Sequence, residues 1–175
     1  MQNNPYQLNT WLDPLIQNYL AYFGASEKPV VWEVGSRDGK DGAEIATRIY
    51  SGNPDWFWSR ARVVALEPNP DQVKVIEQNY PEIEVMKVAA SNQKGSAPFM
   101  VYAGDEGAVG SSSLNLRWKE DDLPGHVITV DIDRLENLIG DERIDIMKID
   151  TEGHSMEVIE GLGDKLKQVK CFHIE

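Results

Sequence analysis

The stretch Val30-Val31-Trp32-Glu33-Val34-Gly35-Ser36-Arg37-Asp38-Gly39 runs apolar for the length of a strand, meets an acid and breaks into a glycine turn. A second unit, Arg62-Val63-Val64-Ala65-Leu66-Glu67-Pro68-Asn69-Pro70, follows the same plan. Continuous apolar strands are the mark of a parallel sheet covered on both faces. Ligands of such sheets bind where the carboxyl ends of the strands meet their loops, so two acids at two strand ends point to a nucleoside-containing cofactor.

The rest of the chain agrees with that architecture. Five apolar runs, 30–34, 63–67, 84–88, 145–150 and 170–175, read as strands. Helical spacing separates most of them: Ile45, Ala46, Ile49 and Tyr50 share one face, Val73 and Ile76 another, and Met156, Ile159 and Leu162 have helical spacing near the end. A leading helix is expected from the apolar stripe Leu8, Trp11, Leu12, Leu15, Ile16, Tyr19, Leu20 and Phe23, read as core packing. Pro14 falls in its first turn and Gly24 marks its exit. Between the third and fourth strands, Ala97 to Tyr102 and Val127 to Ile132 are expected to pair around a Gly- and Ser-rich loop, Gly104 to Asn115. The expectation is an α/β, Rossmann-like, mostly parallel doubly wound sheet with helices on both faces. A single domain is expected over 1–175, with a helical segment at 1–28 and a cofactor-binding core at 29–175.

With 29 acidic against 17 basic residues and a net charge of −12, the chain is ill suited to a phosphate backbone, so DNA and RNA are not expected partners. No run of about 18 apolar residues suggests a membrane span. One cysteine, Cys171, and an N-terminus without a signal-like pattern favour a cytoplasmic protein. The chain stops at Cys171-Phe172-His173-Ile174-Glu175, inside or just after its fifth strand, where a doubly wound domain would continue. Either further strands are missing or this is a short version with an exposed edge open to aggregation or homodimerisation.

Gly35 and Gly39 let the backbone turn sharply beside a ligand. Glu67 is suited to accept hydrogen bonds from two ribose hydroxyls. The dinucleotide fingerprint G-x-G-x-x-G is absent, since Arg37 stands at its second glycine, which argues against NAD and against an oxidoreductase. An acid opening the turn, Glu33, suits a cationic ligand, and S-adenosyl-L-methionine carries an ammonium and a sulfonium and no phosphate.

These motifs, with Val88-Ala89-Ala90-Ser91 followed by Gly95, Ser112-Ser113-Leu114-Asn115, Ile144-Asp145-Ile146-Met147-Lys148-Ile149-Asp150-Thr151-Glu152-Gly153 and Glu157-Val158-Ile159-Glu160-Gly161, resemble the FkbM family of S-adenosylmethionine-dependent methyltransferases over roughly residues 30–175. The Lys148 to Gly153 motif is the most diagnostic of them. The resemblance implies a class I methyltransferase fold and methyl transfer to a hydroxyl of a small molecule or sugar. By the same resemblance Glu33, Gly35 and Gly39 would line the methionine part of the cofactor. Glu67 would hold the ribose, and Ala90 with Ser91 would lie near the adenine. Ser36, Pro68, Asn69 and Asp150 complete the expected cofactor set. The chain departs from the family at His154, where a small or apolar residue is usual, and in lacking strands after Glu175.

Asp150 is the first candidate to position or deprotonate the acceptor, and His154, opening the next helix, is the second. Glu152 is expected to order that turn through backbone N–H groups. Asp150, Glu152, His154, His173 and Glu175 share two strand ends, but no tight ligand motif supports a metal and none is expected. Asp55-Trp56-Phe57-Trp58 reads as packing against the bottom of the sheet or as a partner surface, with core packing favoured, and Arg117 with Trp118 as part of a lid touching the acceptor or as a plain surface loop. The competing expectations are a cofactor-binding module without turnover, degenerate or truncated, and an oxidoreductase.

Overall fold

A computed structural model of the chain describes residues 10–103, 112–115 and 124–175. A 3-10 turn, Thr10–Leu12, leads into α1, Asp13–Phe23, with Pro14 in its first turn. Gly24 ends the helix at φ 72°, its N–H donating to the Leu20 carbonyl. The sequence then alternates: β1 Val30–Val34, α2 Lys40–Ile49, the short α3 Phe57–Arg60, β2 Arg62–Leu66, α4 Pro70–Asn79 and β3 Glu84–Met86. After β4 Ala89–Ser91, β5 Gly95–Tyr102 and β6 Gly125–Arg134 come α5 Leu135–Leu138, β7 Ile144–Ile149, α6 Ser155–Leu162 and β8 Val169–Ile174.

Five strands make one all-parallel sheet in the order β3-β2-β1-β7-β8, the Rossmann-like arrangement the apolar runs predict. Alternation along each strand sorts the core into two layers. Val31, Val63, Ala65 and Ile146 pack under Leu15, Ile16, Ile45 and Ile49 of α1 and α2. Trp32, Val64, Leu66, Met147 and Ile149 face Val158 and Leu162 of α6 and Leu135 of α5. Asp145, at the start of β7, ties the layers' ends together: it accepts from Tyr19 Oη at 2.7 Å, from Lys170 Nζ at 2.6 Å and from the Val30 N–H at 2.9 Å.

The run expected as one strand over 84–88 is divided. The Met86 carbonyl accepts from both the Glu67 and the Val88 N–H, a tight reversal that ends β3 and sends the chain into a second sheet. There β4 runs parallel to β6, and β5 pairs antiparallel with β6, Ala97 opposite Val130 and Tyr102 opposite Gly125. The pairing expected between 97–102 and 127–132 is therefore present, in a sheet of its own with β4.

The helical spacing of Met156, Ile159 and Leu162 falls on α6, which turns its inner face about Val158, Gly161 and Leu162 and leaves Met156 70% exposed. A Cβ on Gly161 would stand 2.1 Å from the Ser91 carbonyl oxygen, so that glycine sets how closely α6 lies on β4. In the aromatic stretch before β2, Phe57 joins the core and Trp58 packs beside it, while Trp56 is exposed. Among the described residues no helix is long and apolar enough to cross a membrane.

Candidate cofactor site

The carboxyl ends of β1, β2 and β7 meet at Gly35. This residue has φ 80°, and a Cβ added to it would lie 1.8 Å from the Asp150 carbonyl oxygen. The N–H groups of Gly35 and Ser36 both donate to the Leu66 carbonyl at 3.1 Å, so the turn is stitched across to β2. Arg37 follows at φ 54°, and its N–H donates to Glu67 Oε2 at 2.8 Å. The Asn69 N–H holds the other oxygen, Oε1, at 2.8 Å. Glu67 is thereby fixed, buried, at the lip of a hollow. Burial pushes its carboxyl up to about 7, against the opposing pull of the Asn69 and Arg37 N–H groups.

That first hollow is lined by Val34, Gly35, Arg37, Leu66 and Glu67 and by Val88, Ala89, Ala90 and Phe99. Pro68, Asn69 and Gln72 join it after β2, Asp150, Thr151 and His154 after β7, and Ser112 and Leu114 complete it. A second, polar hollow adjoins it, sharing Gly35, Arg37 and Asp150 and adding Trp11, Ser36, Asp38, Lys40, Asp41, Lys148, Glu152 and Glu175.

Lys148 sits beneath this second hollow, 3% exposed. Its ammonium lies 3.0 Å from Asp150 Oδ2, 3.2 Å from Asp41 Oδ2 and 3.6 Å from Glu175 Oε1. Burial alone would lower its pKa, but the Glu33, Asp150 and Asp41 carboxylates hold it above the ordinary lysine value. The parallel register explains the cluster: Glu33 of β1 stands opposite Lys148 of β7.

The expected site residues divide accordingly. Gly35, Ser36, Glu67, Pro68, Asn69, Ala90, Asp150 and His154 line one hollow or the other. Glu33 and Gly39, expected beside the methionine end, line neither of these two hollows. The Glu33 carboxylate turns under α2, where Oε2 accepts from the Gly42 N–H at 3.0 Å and from Ser36 Oγ at 2.9 Å. Its carboxyl thereby takes up an N–H group in the first turn of that helix. Burial pushes its pKa up to about 8, with Lys148 pulling the other way. Gly39, at φ 78°, is packed against α4 and the residues after it, since a Cβ there would press on Ile76, Ile83 and Tyr80.

His154 occupies the residue before α6, as expected, but its ring does not cap the helix. Its Nε2 lies 3.1 Å from Ser91 Oγ, and its Nδ1 lies 3.6 Å from Glu157. Burial lowers its pKa and Glu157 opposes this, so the neutral ring is favoured near pH 7. Ser91 thus supports His154 from behind and does not itself line the hollow. The Glu152 carboxylate lines the polar hollow and, among the described residues, accepts from no backbone N–H group, contrary to expectation. Burial raises its pKa, with Asp150 and Glu175 adding to the effect. His173 lies against Trp11 and Glu175, turned to another partner than His154. Among the described residues no group of three or more His, Cys, Asp or Glu is disposed to hold a metal ion.

Three lining features escape sequence reading. Phe99 is indistinguishable from any inward residue of an alternating strand. Lys148 belongs to a recognised motif, but only register gives it its partners. Trp11, expected in the core, is 41% exposed at the polar hollow. Ser113 carries a further tie: its hydroxyl donates to the Glu152 carbonyl at 2.7 Å, lies 3.2 Å from that of Thr151 and accepts from the Asn115 N–H at 2.9 Å. The 112–115 segment is thereby pinned to the turn after β7, where Glu152 has φ 48°. Ser113→Ala is expected to lower the unfolding free energy by about 1–3 kcal/mol, read as a urea midpoint. Hydrogen exchange in 150–154 should quicken, and Ser113→Thr should restore much of both. Arg117 and Trp118, and 104–111 of the serine-rich loop, lie outside the described residues.

An open parallel sheet with a hollow at its β1/β7 switch point is a Rossmann-like α/β fold, and that crevice is where such sheets take their ligands. The Methyltransferase FkbM domain matches residues 33–175, and the chain belongs to that methyltransferase family. It is 24% identical over 163 residues to hexuronic acid methyltransferase AglP of Haloferax volcanii, an alignment covering 86% of this chain and 57% of the relative. Precorrin-6y C5,15-methyltransferase of Geobacter metallireducens superposes with a TM-score of 0.39 at 14% identity, over 85% of this chain and 54% of that one. The chain therefore spans little more than half the length of either protein.

Proposed function

We propose that the chain binds S-adenosyl-L-methionine across both hollows and methylates a hydroxyl of a small molecule or sugar. The observation that carries this reading is Glu67. A buried carboxylate at the end of β2, pinned by two N–H groups with lone pairs to spare, is suited to the two hydroxyls of a ribose. Ala89, Ala90 and Phe99 offer an apolar slot for a base, and the mixed charges around Asp41, Lys148 and Asp150 suit an amino-acid end. When bound, the cofactor supplies a methyl group activated on a sulfonium.

The chain's own part is alignment and proton removal. The shared rim at Gly35 and Asp150 is where the two halves of the ligand would join, and an acceptor oxygen must come there in line. Lys148 holds one oxygen of Asp150, and the second has no recorded partner among the described residues. Asp150 is therefore the residue to orient the acceptor hydroxyl and take its proton. The imidazole nitrogens of His154 are directed to Ser91 and Glu157, which makes it a wall and support of the site. A sugar acceptor is supported by the name of the distant AglP relative and a small acceptor by the net charge of −12.

Calorimetric titration with S-adenosylmethionine, S-adenosylhomocysteine and NAD tests the reading. The first two are expected to bind and NAD to fail. Glu67→Ala should weaken both by about 100-fold, as expected for loss of charge-assisted hydrogen bonds. Because a protonated Glu67 is a poorer acceptor, affinity should rise up to about tenfold from pH 6 to pH 8 in the wild type and stay flat in Glu67→Gln. Absence of binding would overturn the proposal. Binding without methyl transfer to a broad panel of hydroxyl acceptors would support the module without turnover.

A further inference from the structure

We infer that Trp11 is a cofactor-contact residue: its indole forms the outer wall of the hollow proposed to take the amino-acid end of the ligand. This rests on the two-hollow reading above. Trp11 precedes the region that the family domain matches, so α1 and the turn before it bring to the site a residue from outside the shared fold.

The geometry supports a built wall. Leu12, next in the chain, is fully buried, and Leu15 and Ile16 join the same core cluster. That anchorage fixes the start of α1 while leaving the indole at the rim of the polar hollow. Its ring centroid lies 5.2 Å from Lys148 Nζ and 5.2 Å from the His173 ring, tilted at 41°. The indole is thus held from the side of β7 and from the side of β8.

The surroundings specify the ligand chemistry. Asp41, Asp150, Glu152 and Glu175 face the hollow together with Arg37, Lys40 and Lys148. Carboxylates in excess over cations suit an ammonium, and the cations suit a neighbouring carboxylate, so the hollow matches a zwitterionic α-amino acid end. An indole face attracts ammonium through its quadrupole, and its bulk excludes water from the ion pairs beside it. Both effects act on the amino-acid end of a ligand and leave a nucleoside in the Glu67 hollow untouched.

The test compares two ligands that differ in that end. S-adenosylhomocysteine carries it, whereas 5′-methylthioadenosine keeps the nucleoside thioether and lacks it. Both are titrated into the wild type, Trp11→Phe and Trp11→Leu, substitutions that keep bulk at the wall and preserve folding. Trp11→Leu is expected to bind S-adenosylhomocysteine about tenfold more weakly and 5′-methylthioadenosine equally well. Trp11→Phe, which retains a ring face, should recover most of the loss. Equal weakening of both ligands would assign Trp11 to packing alone, and unchanged affinity for S-adenosylhomocysteine would also overturn the inference. A wild type that binds neither ligand would overturn the cofactor reading and this inference with it.

Discussion

Gly35→Ala is expected to destabilise the chain by about 3–5 kcal/mol and to remove ligand binding in whatever folded fraction remains. The added Cβ would stand 1.8 Å from the Asp150 carbonyl oxygen, and the residue's φ of 80° is itself unfavourable for any side chain. The obstructing atom is backbone, so relief requires β1 and β7 to separate at their carboxyl ends, where both hollows meet. Overpacking and left-handed strain add. Gly140→Ala is the matched control, with nothing within 4 Å of the new Cβ and no positive φ. Urea unfolding of both variants reads the difference. A Gly35→Ala midpoint close to that of Gly140→Ala would mean that the strand ends tolerate separation.

Glu33→Gln should change how stability depends on pH, and the sign follows from burial. The folded carboxyl is pushed up to about 8, against an ordinary value of 4.5. Below pH 4.5 it is protonated in both states and carries no penalty. As pH rises from 4.5 through 8, the unfolded chain releases the proton first, so the folded state holds more protons and loses stability. The glutamine variant keeps an acceptor for Gly42 and Ser36 but has no proton to lose. Its stability relative to the wild type should therefore increase between pH 5 and pH 8, by a few kcal/mol. Parallel urea titrations at pH 5, 6.5 and 8 measure that gap. A gap independent of pH would show that Lys148 keeps Glu33 ionised throughout.

The placements of Glu33 and Trp11 share a cause. Sequence pattern identifies which residues sit at strand ends, because period-two alternation and glycine turns are local. It does not tell which way an end residue points. The apolar run over 30–34 fits a buried strand, yet the side of the sheet taken by Glu33 follows from the β1/β7 register, which sets it beside Lys148 and below α2. A one-residue change of register would have turned it to the other layer. Trp11 fits the helical stripe by spacing, but it lies in the 3-10 turn ahead of α1, where it meets the polar hollow. The rotation of α6, set by Gly161 against β4, likewise leaves Met156 on the outside of its helix.

Motif order carried further than periodicity. Gly35, Glu67 and Asp150 are separated by long intervals in the chain and are brought to one pair of hollows, as their strand-end positions imply. The parallel sheet, its five main strands and the sites of its loops were thus written in local hydrophobic pattern and turn chemistry. The rest was decided between elements that are distant in sequence: the diversion of β4 into a second sheet, the tie from Ser113 to the turn after β7, and the ammonium of Lys148 among four carboxylates. Those depend on register, helix rotation and desolvation, which are properties of packed neighbours and have no signature within any one segment.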